Sequence, residues 1–61
     1  MNLVKKIYFP IVNIALGSLA ETEYLLEFCL RLGYLTEKGY KRLENLRSEV
    51  GALLWNFYQS L

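Results

Sequence analysis

Few residues in this chain have the types and spacing that chemistry requires. Glu23 and Glu27 stand four apart, Ser18 and Thr22 likewise, and Cys29 is the one thiol. Paired glutamates on a helix suggest a carboxylate metal centre, but such centres in helical bundles also need histidine from Glu-x-x-His pairs. The sequence contains neither His nor Asp, and all six acids are Glu. Without imidazole the commonest general base and metal ligand is missing, and no histidine stands ready to turn Cys29 into a thiolate. Glu23 and Glu27 are therefore read as a solvated acidic face, with Glu27 and Arg31 an i, i+4 pair contributing about 0.3–0.5 kcal/mol. Ser18 and Thr22 are read as structural, since a hydroxyl four residues on bonds back to the backbone carbonyl. We expect no catalytic residue, no metal, no cofactor and no enzyme.

The elements that carry these residues follow from composition and periodicity. Sixty-one residues make one domain at most, yet 54% are apolar, more than a lone core of this size hides. A net charge of +1 exerts little pull on nucleic acid. A single Cys cannot close an internal disulfide, which points to a reducing compartment and a cytoplasmic location. At the start, basic Met1 to Lys6, uncharged Ile7 to Ala20 and Ser18-Leu19-Ala20 imitate a signal peptide. The apolar run is short of the ~20 residues that span a bilayer. One amphipathic arc, including Ile7, Ile11, Ile14, Leu19, Leu25, Leu26 and Leu32, crosses the apparent cleavage site without a change of phase. The spacing predicts one helix from about Pro10 to Leu32, with Pro10 in its first turn. Residues 1 to 9 are left as a frayed arm or a helical extension kinked at the proline.

Gly33 ends that helix by taking the left-handed conformation, and Thr36 caps the next, with Glu37 in its first turn. Four connecting residues, 33 to 36, make the helices antiparallel neighbours. The second helix, about 37 to 60, repeats Leu43, Leu46, Val50, Leu53 and Phe57 at a 3-4-3-4 spacing that seeks another helix. Leu54 and Leu61 widen this seam, whereas Trp55 and Tyr58 lie off it and offer a second interface. Gly51 suggests close helix approach, and Tyr34 is read as packing over the turn. A lone hairpin of this length leaves one side of each stripe in water. Pairing hairpins into a four-helix bundle covers them, so we expect an all-α homo-oligomer with Leu19, Leu26, Leu43, Leu46, Val50, Leu53 and Phe57 in its core.

Gly17-Ser18-Leu19-Ala20-Glu21-Thr22-Glu23, then Leu32-Gly33-Tyr34-Leu35-Thr36, then the Leu-rich helix ending Trp55 to Leu61 carry a resemblance. Over about residues 7 to 61 the chain resembles the carboxy-terminal two-helix half of the four helix bundle protein family, also called 23S rRNA intervening-sequence proteins. The resemblance implies a bacterial all-α bundle that is homo-oligomeric, in pentameric rings, with no established enzymatic activity. It also implies that relatives in diversity-generating retroelements bind a reverse transcriptase and nucleic acid. The two helices that open the family pattern have no counterpart before residue 7.

Three functions are compatible with these features. The first is a non-enzymatic structural module that binds itself and a protein partner. The second is a nucleic-acid-binding accessory using Arg31, Lys38, Lys41 and Arg42 at the turn, although Glu37 and Glu44 are mixed among them. The third is a small secreted or membrane-associated peptide; the amphipathic phase argues for no membrane. Protein purified without tags or chelators should carry no stoichiometric transition metal on elemental analysis, and a near-stoichiometric signal would overturn the expectation of a metal-free chain.

Overall fold

A computed structural model describes residues 2–61, and these form two helices, α1 (Leu3–Arg31) and α2 (Glu37–Ser60). The connection closes as the sequence requires. Gly33 has φ +82°, its N–H donates to the Leu30 carbonyl at 3.1 Å, and the Tyr34 N–H donates to the Cys29 carbonyl at 3.0 Å. This pair of bonds is a Schellman cap, satisfying carbonyls that the helix end would otherwise leave unpaired. Thr36 then caps α2, its Oγ1 accepting from the Gly39 N–H at 3.0 Å. A side chain at Gly39 would bring its Cβ within 3.2 Å of that hydroxyl, so glycine leaves the cap undisturbed.

Of the two readings that the sequence leaves for the residues before Pro10, the structure takes the helical extension, with α1 beginning at Leu3. Asn2 caps it by accepting from the Lys5 N–H at 2.9 Å, and helix runs through Pro10 rather than starting there. Proline withholds the hydrogen bond that the Lys6 carbonyl would receive, a cost of about 3 kcal/mol. Packing beyond the proline explains why the helix survives. Tyr8 meets Phe57 edge-on with ring centroids 5.9 Å apart, Phe9 lies against Tyr58 at 4.9 Å, and Val12 is 3% exposed. Val12 is also the one fully buried residue described in the hairpin.

The face that α2 turns to α1 is not its most apolar one. Tyr40, Glu44, Arg47, Gly51, Leu54, Tyr58 and Leu61 are each half-buried and recur at a 4-3-4-3-4-3 spacing, one line along the helix. Midway, Arg47 grips Glu44 through two hydrogen bonds, Nε to Oε2 at 2.9 Å and Nη2 to Oε1, and its Nη2 lies 3.8 Å from Glu23 on α1. Glu23 therefore faces a cation across the hairpin instead of belonging to a purely solvated acidic face. Glu27 does pair with Arg31 as expected, at 3.1 Å. Nor is Gly51 a point of forced contact, since an added Cβ would sit 3.9 Å from Leu19 Cδ1, ordinary van der Waals distance.

Two tests follow from this packing. Pro10→Ala should raise stability to unfolding by about 1–3 kcal/mol, read by thermal melting; an unchanged melt would mean that residues 3 to 9 contribute no ordered helix. The Arg47 hydrogen bonds hold the Glu44 carboxyl below its ordinary 4.5. A depressed folded pKa gives stability that is complete above the unfolded value and is lost as pH falls through the folded one. The wild-type melt should therefore drop more steeply than that of Glu44→Gln on acidification below about 4.5, and parallel pH profiles would show the pair to be inert.

Candidate association surface

Helix α2 presents its second line, Leu43, Leu46, Val50, Leu53 and Phe57, about a quarter turn from the line that meets α1. All five are exposed, Leu46 by 55% and Leu53 by 69%. On the same side of the hairpin, Leu19, Thr22 and Leu26 of α1 join Leu43, Leu46, Arg47 and Val50 around a shallow groove. Tyr8 reaches Phe57 further along. The structure thus brings the predicted core residues to one open face. They do not enclose a core within one chain.

The local sequence explains why the groove is open rather than filled. Thr22 Oγ1 donates to the Ser18 carbonyl at 2.8 Å, the expected back-bond, which keeps both polar groups occupied along an otherwise apolar face. Of the groove's lining on α1, Thr22 is the small polar member between Leu19 and Leu26. The arrangement can take apolar side chains from another helix. Among the described residues no group of three or more His, Cys, Asp or Glu could hold a metal. Cys29 is a half-buried free thiol.

The two aromatics expected to form a second interface are separated in role. Trp55 is exposed, as that expectation needs, but Tyr58 is not free: it lies in the helix–helix contact against Phe9, with Trp55 stacked over it at 5.6 Å. The sequence pattern hides this because Tyr58 sits off the Leu-rich line while belonging to the adjacent line through Tyr40 and Gly51. Tyr34 is also displaced from expectation, since it bonds the cap through its backbone while its ring is exposed. Of the basic residues, Arg31 is occupied by Glu27, and Lys38, Lys41 and Arg42 are exposed on α2 near the turn.

Helix α1 reveals a feature that the 14-residue uncharged run understates. Extended to Leu3–Arg31, it is long enough to cross a membrane and contains an 18-residue window of mean hydropathy 1.4, of which 6% is buried in the hairpin. The same length and composition suit a helix surrounded by protein. No curated protein and no solved structure matches this chain. The sequence model of the 23S rRNA-intervening sequence proteins matches residues 2–56, so the match reaches into the first helical turn and stops one residue before Phe57. With most of its length matched, the helical hairpin belongs to the 23S rRNA-intervening sequence protein family.

Proposed function

We propose that this chain is a non-enzymatic self-association module, in which the grooved faces of two hairpins close on each other to make a four-helix bundle. The observation that carries the proposal is the exposed Leu43, Leu46, Val50, Leu53 and Phe57 line beside the groove. Surface area supports it. The hairpin exposes 4974 Å², whereas a compact 7.1 kDa monomer exposes about 4,100 Å². The excess of about 900 Å² is on the order of one partner's share of a standard interface, about 800 Å². Shape agrees: the radius of gyration is 14.4 Å, against about 10.5 Å for a compact chain of this length.

A bundle built this way is a scaffold for the cytoplasm, with its partner-binding capacity on the faces that remain outside. The exposed Lys38, Lys41 and Arg42 favour nucleic acid as a second reading. Neutralised phosphates would give binding that falls steeply with salt. Salt-insensitive or absent RNA binding would remove that reading and leave the scaffold.

Sedimentation mass together with helicity over a dilution series tests association directly, because folding of an obligate assembly is linked to concentration. Leu53→Asp sharpens the test. In a free hairpin this exposed position tolerates change within about 0.5 kcal/mol, whereas in the bundle an unpaired carboxylate among leucines should cost several kcal/mol and abolish both assembly and the cooperative melt. A monomeric, cooperatively melting wild type, or a Leu53→Asp variant that assembles normally, would refute the proposal.

A further inference from the structure

The grooved face is hollow at one end and bulky at the other. The groove runs from Leu19 to Leu26 on α1 and from Leu43 to Val50 on α2, in the half of the hairpin next to the turn. The other half of the face carries Leu53, Phe57 and Tyr8, all exposed. Such a face can close on its copy in two ways. With both turns at the same end, α2 lies over the partner's α1, and hollow meets hollow. With the turns at opposite ends, α2 lies antiparallel over the partner's α2, and each bulky half meets a hollow.

We propose that the hairpins pair with their turns at opposite ends, so that Phe57 of each copy fills the groove of the other. The inference rests on the groove-closed pair proposed above and adds its direction and the side chain that occupies the groove. Leu46, Val50, Leu53 and Phe57 are spaced 4-3-4, an order that reads the same both ways about a point between Gly51 and Ala52. Reversing one copy therefore sets Phe57 opposite the partner's Leu46 and Leu53 opposite its Val50, apolar against apolar along the line. The same-end pair instead lays this line on the partner's α1, across Ser18 and the half-buried Thr22. It also faces hollow with hollow, and side chains that line a void lose their packing partners. Arg47 selects the same direction. Its side chain lines the groove while its guanidinium is held by Glu44 and Glu23 of its own hairpin. Closing groove on groove brings two guanidinium groups to one level inside the bundle, where like charges repel more strongly than in water. Reversal moves them about 13 Å apart along the axis.

Engineered cysteines in the full chain, with Cys29→Ser to remove the native thiol, read the direction. On mild oxidation a Phe57→Cys chain should cross-link to a Leu46→Cys chain, since a disulfide needs Cα atoms within about 7 Å. It should not cross-link to an Ile11→Cys chain, which only the same-end pair brings level with Phe57. The reverse pattern overturns the proposal. Spin labels at Lys38→Cys, exposed on α2 beside the turn and outside the paired faces, give an independent distance. Opposite ends separate the two labels by about 40 Å along the axis. A distance of about 30 Å or less, no wider than the bundle itself, overturns the proposal. Solution mass of the labelled protein separates the two levels of failure. A dimer with the short distance keeps the groove-closed pair and overturns its direction alone, whereas a monomer without dipolar coupling overturns the pair and its direction together.

Discussion

One helix can cover only one side of another, and most features of this molecule trace to that limit. Helix α1 is apolar around most of its circumference, with lysines confined to its first turn and charge returning only at Glu21. A single amphipathic partner shields a single line of it. What remains is a rod 47 Å long and 15 Å by 9 Å across, with seventeen large apolar or aromatic side chains exposed among its described residues and Val12 as its buried core. Apolar surface of this extent marks an interaction site in a folded protein.

The contact inside the hairpin differs in character from the faces left open. Its middle is polar, with Arg47 held between Glu44 and Glu23 and only part of each side chain exposed. Such a layer contributes less to stability than packed leucines would, but it penalises any slip of one helix along the other, because a shifted register strands a partly buried charge. The apolar ends of the contact, Tyr8 and Phe9 against Phe57 and Tyr58, supply the burial that carries helix through Pro10. The hairpin thus keeps a polar layer inside its contact and apolar lines outside it.

Membership of the 23S rRNA-intervening sequence protein family fits this physical picture without supplying a reaction. The chain's carboxylates are spent in ion pairs with Arg31 and Arg47 or lie on outer faces, and its hydroxyls at Thr22 and Thr36 are committed to backbone groups.

Local backbone chemistry was legible in the sequence. Gly33, Thr36 and Glu37 mark the turn because a left-handed cap and an accepting hydroxyl are properties of single residues, and the Thr22 back-bond and the Glu27–Arg31 pair depend on a four-residue spacing alone. The sequence left the residues before Pro10 open between a frayed arm and a helical extension and could not choose, because the cost of Pro10 is local while the aromatic packing that offsets it comes from residues nearly fifty positions away. The sequence also identified the Leu43 to Phe57 line as a helix-seeking seam. Only the tertiary structure decided that α1 does not fill it, since two neighbouring lines on α2 compete for one partner and the line through Tyr40, Arg47, Leu54 and Tyr58 takes the contact. That choice put Tyr58 inside, left Leu46 and Leu53 outside, and turned an apparent core into a surface. Periodicity gives the angle of a residue about its own helix, and the direction in which the other helix lies has to come from packing.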